Sequence, residues 1–370
     1  MALVLVAACV VAPSKAQTKR QPAADERELA VRLEQRIGEL LAPDARVVIA
    51  VGVDETPLVT VARGRVDPAE AKPLLTSEHL FDLGSVSKSV TACAVLRLAE
   101  LGKLRLDDEL GAHWRDLPDT ARGVTIRHVL GHTAGLPKAL ELSAEANGDG
   151  ARAVREILAA RDAAMAPGAG FAYSNCGYQL LAALVERVAK QPFERFVQRE
   201  LFTRAKLPTA TLVGGATPTA ALRTRRVEGE RSFWIEQFPS GFGRKGTTGV
   251  LMSVEDLLRW DRALRSGAVL SKQSLAQQHA AGPGGYGLGW FVSTTSNGLR
   301  LTHGGAVEGY RSHVTRWPER NTCIVVLGDG DVDATALARE LERVLFPAAA
   351  GGTARMGAAV PAFDSHDGTM

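Results

Sequence analysis

Phe81-Asp82-Leu83-Gly84-Ser85-Val86-Ser87-Lys88 is the stretch on which the reading of this chain turns. Phe81–Gly84 reads as a short extended segment. Ser85–Leu101 then reads as a helix, with Gly102 as its stop. Residues three apart on a helix share a face, so Lys88 can reach the hydroxyl of Ser85. Serine is a weak nucleophile until a base takes its proton. Lysine serves as that base only when burial lowers its pKa. The helix start adds free N–H donors for a developing oxyanion. Ser-x-x-Lys alone is also met by a capping serine beside a surface lysine. Here it follows an apolar stretch at a strand-to-helix transition and occurs once in the chain.

Outward from that point, Glu26–Leu41 carries apolar residues at helical spacing and ends before Pro43. Arg46–Val53 and Leu58–Arg63 read as paired strands. From about 105 to 270 the pattern is mostly helix and loop. Helices are expected at Val124–Leu130, Ala151–Ala164, Gly177–Ala189, Pro192–Leu201 and Ser253–Ser266. Strands return at Gly287–Ser293, Leu299–His303, Gly309–Trp317 and Thr322–Leu327, followed by a helix over Asp333–Leu345. The expected fold is α+β: an antiparallel sheet flanked by helices, built from both chain ends, with a mostly helical insertion. The sheet domain is assigned to 25–84 and 271–347, the helical one to 85–270. The small-residue tail 348–370 is expected to be disordered.

Two further patterns carry chemistry. Tyr173-Ser174-Asn175 follows the Pro/Gly loop Ala166–Phe171 and precedes a helix. A phenol can relay protons, and an asparagine amide can hold a lysine and donate to a substrate carbonyl. Ser174 and Asn175 also suit a helix cap. His303-Gly304-Gly305 closes an expected strand, where glycines allow close backbone approach and Ala306 can offer an N–H to an oxyanion; a hairpin turn is the alternative.

Taken in order, Ser85-x-x-Lys88, Tyr173-x-Asn175 and His303-Gly304-Gly305 resemble the motif triple of the class C β-lactamase-like serine hydrolases. That family includes β-lactamases, D,D-peptidases, D-aminopeptidases and carboxylesterases. Leu130–Pro137, Gly249–Trp260 and Tyr286–Trp290 resemble its supporting segments, and the likeness runs from about residue 30 to 347. It implies Ser85 as nucleophile, Lys88 as base, Tyr173 as proton relay and Asn175 as binder of the acyl side. It implies an oxyanion hole from the Ser85 and Ala306 amides, and no metal or organic cofactor. Class C β-lactamases carry Lys-Thr-Gly as the third motif, whose lysine favours anionic substrates. Histidine at 303 gives a weaker anion site, with Arg244 and Lys245 as conceivable replacements. The expectation is therefore a serine hydrolase of an ester, amide or peptide, carboxylesterase-like first. A D-amino-acid peptidase or penicillin-binding enzyme, a β-lactamase, and a slowly acylating sensor are the alternatives.

Composition excludes other classes. Hydrophobic residues make up 45% and charged ones 23%, ordinary for a globular protein of 370 residues. The net charge of +3 comes with scattered basic residues and no run of five or more, which argues against nucleic acid. There is no Gly-x-Ser-x-Gly elbow and no His-Glu-x-x-His; His132 is read as structural, capping a loop under the site. Apolar Ala2–Ala12 is too short to span a bilayer and resembles an export signal, with a cut before Gln17. Val6-Ala7-Ala8-Cys9 also resembles a lipoprotein signal, which would tether the protein to a membrane through Cys9. The expected location is thus periplasmic or extracellular. Cys93, Cys176 and Cys323 show no metal spacing and read as buried thiols in preference to a disulfide.

Overall fold

The computed structural model describes residues 24–347 except 55, 68–72, 220, 229–230, 236–240 and 331. The export segment with Cys9 and the tail 348–370 lie outside the described residues.

The chain opens with α1 (Ala24–Leu40), β1 (Val47–Val53), β2 (Thr56–Arg63) and β3 (His79–Asp82). A 3-10 turn, Gly84–Val86, leads into α2 (Ser87–Glu100). Next come α3 (Ile126–Leu130), α4 (Ala144–Gly148), α5 (Gly150–Ala159), α6 (Asn175–Ala189) and α7 (Phe193–Val197). Short strands follow: β4 (Thr211–Leu212), β5 (Leu222–Arg223), β6 (Arg225–Glu228), β7 (Arg231–Trp234) and β8 (Val250–Met252). The closing part is α8 (Val254–Arg265), α9 (Lys272–Gln278), β9 (Phe291–Thr295), β10 (Gly298–Val307), β11 (Tyr310–Trp317), β12 (Thr322–Gly328) and α10 (Ala334–Leu345).

The main sheet is antiparallel, in the order β2-β1-β12-β11-β10-β9. It joins both ends of the chain, with Val47 opposite Gly328 and Val53 opposite Thr322. Side chains alternate across a strand, and both faces of β1 and β12 are apolar. Val47, Ile49, Val51, Ile324 and Val326 pack with Leu33 and Ile37 of α1 and Leu337 and Leu341 of α10. Val48, Ala50, Cys323, Val325 and Leu327 face the larger core shared with α2, α6 and α8. A sheet covered on both faces is what the valine-rich strands encode.

Three local differences from expectation have identifiable causes. The region before α8 is not only helical: β8 pairs with β3 and β4 in a second, small sheet. Helix α8 lies on the main sheet, since a Cβ on Gly52 of β1 would sit 2.8 Å from the Leu258 side chain. It thus packs with the sheet domain, although it falls within the 85–270 block. The third is Gly287–Trp290, which is loop, with strand β9 starting only at Phe291. Gly289 has φ +83, and a Cβ there would meet Ser89 Cα at 2.8 Å and Lys88 O at 2.9 Å. The loop is pressed against α2 and cannot extend.

Candidate active site

Ser85 sits in the 3-10 turn, one residue after Gly84, which adopts φ +49. The turn lies against β10. A Cβ on Gly84 would fall 2.8 Å from Ala306 N, and one on Gly305 would collide with Leu83 O and Ser312 Oγ. Ser312 Oγ donates to Leu83 O at 2.7 Å, tying β11 to the same turn. Strand β9 pairs with β10 only as far as Thr302, so the turn occupies the edge of β10 that β9 leaves open. His303, Gly304, Gly305 and Ala306 lie inside a strand that runs on to Val307, neither at its end nor in a hairpin turn. Ala306 is exposed at the rim.

Lys88 lies in the first turn of α2 and is fully buried. Its Nζ is 2.9 Å from Ser85 Oγ and donates to Thr247 O at 3.3 Å. It also stands 5.0 Å from the centre of the Tyr173 ring. Burial holds the Lys88 pKa well below that of an ordinary lysine. A neutral amine there accepts the serine proton while still donating to the Thr247 carbonyl. The Tyr173 hydroxyl oxygen is shielded from solvent. Burial raises its pKa, with a hydrogen bond to Ser85 opposing the shift, so the phenol keeps its proton.

Asn175 opens α6, capped by Ser174, whose Oγ accepts from Gly177 N–H at 2.9 Å and donates to Pro137 O at 2.7 Å. Asn175 Oδ1 accepts from Thr247 Oγ1 at 3.0 Å. His132 lies beneath these groups. Its Nδ1 accepts from Ser174 N–H at 3.1 Å, and its ring packs 4.3 Å from that of Tyr173. His303 is fully buried. Its Nδ1 is 2.7 Å from Gly304 O, and its Nε2 is 3.1 Å from Tyr286 Oη. Nδ1 must therefore carry the proton and Nε2 accept. Burial brings its pKa down to about 3. The imidazole points into an aromatic layer and not into open space, meeting the strand backbone and the rings of Tyr286, Phe291 and Tyr173.

Thus Ser85, Lys88, Tyr173 and Asn175 converge, and Gly304, Gly305 and Ala306 form the strand beside them. Sequence reasoning missed Thr247, whose carbonyl meets Lys88 and whose hydroxyl meets Asn175. It also missed the α2 side chains that hold Thr247's segment. Thr91 Oγ1 donates to Gly246 O at 2.7 Å, and Ser87 Oγ accepts from Val250 N–H at 3.1 Å. The glycine density of 241–249 was the only hint. Of the neighbouring cations, Lys245 pairs with Glu186 and Glu194, and Arg244 lies 3.7 Å from Glu308. Among the described residues no three His, Cys, Asp or Glu gather as a metal needs, and Cys93, Cys176 and Cys323 are buried free thiols.

Known proteins resemble this chain. Penicillin-binding protein 4* of Bacillus subtilis is 27% identical over 327 residues, 76% of this chain and 68% of its own length. Protein flp of Staphylococcus aureus is 23% identical, over 67% of this chain and 52% of its length. The chain thus spans only about half of the latter. Among solved structures, the octameric penicillin-binding protein homologue from Pyrococcus abyssi superposes with a TM-score of 0.69 at 21% identity, covering 86% of this chain and 76% of that one. The penicillin binding protein from Bacillus halodurans gives 0.68 at 20%, covering 87% and 100%. These two likenesses show the fold. The family model described as Beta-lactamase matches residues 33–346, from within α1 to the end of α10, and the chain accordingly belongs to the beta-lactamase family of serine hydrolases.

Proposed function

We propose that this chain hydrolyses esters or small amides through an acyl-enzyme on Ser85, with carboxylesterase-like preference. The observation that carries the reading is Lys88: fully buried, 2.9 Å from Ser85 Oγ and held toward its neutral form. Ser85 Oγ attacks the carbonyl carbon as Lys88 Nζ takes its proton. The tetrahedral oxyanion lies between the amides of Ser85 and Ala306. Collapse breaks the bond to the leaving group, which receives the proton from Lys88 through Tyr173. Water then attacks the acyl carbon, its proton passing to the same pair, and Ser85 is released. Asn175 binds the acyl side chain.

Ester preference is supported by what flanks the third motif. His303 is neutral and buried, Lys245 is engaged by two glutamates, and Arg244 faces Glu308. An anionic substrate finds no lysine at the place where class C β-lactamases carry one. The similarity to Penicillin-binding protein 4* favours a second reading, a D-amino-acid peptidase or penicillin-binding enzyme. Turnover of p-nitrophenyl acetate by wild type and Ser85→Ala tests the first: equal activity, or none in either, removes Ser85 as nucleophile. Intact mass then separates the branches. A fluorophosphonate adduct alone supports the esterase, while a long-lived penicillin adduct supports the peptidase. Export is proposed on Ala2–Ala12, and the mass of the mature N-terminus from secreting cells checks it.

A further inference from the structure

Asp82 ends β3, three residues before the nucleophile, and is 1% exposed. Its Oδ1 accepts two backbone hydrogen bonds, from Gly84 N–H at 2.9 Å and from Gly249 N–H at 3.1 Å. The two donors belong to separate parts of the site. Gly84 opens the turn that carries Ser85 and lies against Ala306. Gly249, at φ +84, closes the segment 246–249 whose Thr247 carbonyl receives Lys88 Nζ and whose Thr247 hydroxyl meets Asn175. One carboxylate oxygen therefore spans the nucleophile's turn and the loop that holds its base. The other, Oδ2, is buried without a hydrogen bond. An isolated buried carboxylate oxygen is costly, and burial raises the Asp82 pKa against the pull of Arg244 and the two amides.

We propose that Asp82 is a positioning residue for acylation: it clamps the Ser85 turn to the Thr247 loop and so sets the Ser85–Lys88 geometry. The proposal rests on the acyl-enzyme reading above. It requires the acceptor oxygen in place, not the negative charge as such.

The test is the rate at which a fluorophosphonate labels Ser85, followed by intact mass across pH, with thermal melting of each variant. In labelling, Ser85 Oγ bonds to phosphorus, fluoride leaves and Lys88 takes the proton, so the rate reports on the pair directly. Asp82→Asn keeps an acceptor at Oδ1 and is expected to label within about 3-fold of wild type. Asp82→Ala is expected to label about 10- to 100-fold slower while folded, the scale for misplacement approaching 1 Å. Its labelling profile should also shift to lower pH, because a Lys88 ammonium that loses the Thr247 carbonyl is less stable. The titratable groups facing Lys88 are Tyr173, Tyr178, His132 and His303, and Arg244 faces Asp82. If Asp82→Ala does not fold, Asp82→Glu carries the test: it keeps the charge, displaces the oxygen, and should label at least 10-fold slower. Wild-type labelling in Asp82→Ala or Asp82→Glu, an Asn variant as slow as Ala, or a rate that falls with melting temperature over an unmoved pH profile each overturns the proposal. A wild type that takes no label at Ser85 overturns the acyl-enzyme reading itself, and the clamp with it.

Discussion

Replacing Gly84 by alanine tests whether the nucleophile's turn and the edge of β10 form one unit. Gly84 sits at φ +49, where a side chain costs about 1–2 kcal/mol. The new Cβ would lie 2.8 Å from Ala306 N and 3.1 Å from the carbonyl carbons of Gly305 and Ala306. All three atoms are backbone, so no side chain can swing aside. Turn and strand must part by a few tenths of an ångström, an overpacking of about 1–3 kcal/mol. Near 3 kcal/mol in all, and at about 2 °C for each in a domain this large, the melting temperature should fall roughly 6 °C. Activity should suffer more than stability. Oxyanion donors work at about 2.7–3.1 Å, and losing one outright costs about 100- to 1,000-fold. Partial displacement of the Ala306 amide should lower kcat/KM for p-nitrophenyl acetate about 10- to 100-fold. Gly102→Ala is the control: it shares the positive φ, at +66, but its Cβ would meet nothing within 4 Å. It should lose about 1 kcal/mol and no activity. A Gly84→Ala enzyme with wild-type kcat/KM, or a Gly102→Ala enzyme equally impaired, would refute the coupling of turn and strand.

Lys88→Met should cut Ser85 labelling by about 100- to 10,000-fold yet raise the melting temperature at pH 7. The folded Lys88 pKa lies well below the unfolded value, so burial opposes the ammonium form, a cost methionine does not carry; an unchanged or lower melting temperature contradicts this. Acid should destabilise the protein early. His279, His303 and His313 are each held down to about 3 by burial, against about 6.5 when unfolded, so stability is full above pH 6.5 and falls toward pH 3. The slope is about 1.4 kcal/mol per pH unit for each. Melting temperatures between pH 7.5 and 5 check it, and His313→Gln should flatten the decline. Thr247→Val removes the hydroxyl from Asn175 but keeps the carbonyl for Lys88, so kcat/KM should fall about 5-fold while Thr247→Ser stays near wild type. Equal losses in both would show that the hydroxyl is not what matters.

The sheet and the four converging side chains were legible because each left a pattern. Val47–Val53 and Thr322–Gly328 are runs of apolar residues at opposite ends of the chain, and such strands need partners. Ser85 with Lys88, and Tyr173 with Asn175, combine chemistry and spacing within a few residues. What stayed hidden acts over distance or through backbone. Thr247 meets Lys88 across 159 positions, and a threonine in a glycine-rich loop has no signature. Strands β4 and β8, two and three residues long, are too short to show alternation. The strand expected from Gly287 failed because periodicity does not register the pressure of α2 on Gly289. His303 stands out in the sequence as a departure from lysine, but its burial follows from Tyr286 and the aromatic layer, which only assembly creates.

The pairing of β1 with β12 also governs how the molecule comes to exist. During synthesis Val47–Val53 leaves the ribosome well before its partner Thr322–Gly328, with the whole helical part of the chain made in between. Until then the first hairpin has β2 on one side and an open, valine-rich edge on the other, the kind of edge that recruits other chains. Closing contacts so far apart in sequence is slow. The sheet can therefore seal only after Thr322–Gly328 has been made, and the interval before it does is when this protein most needs protection from aggregation.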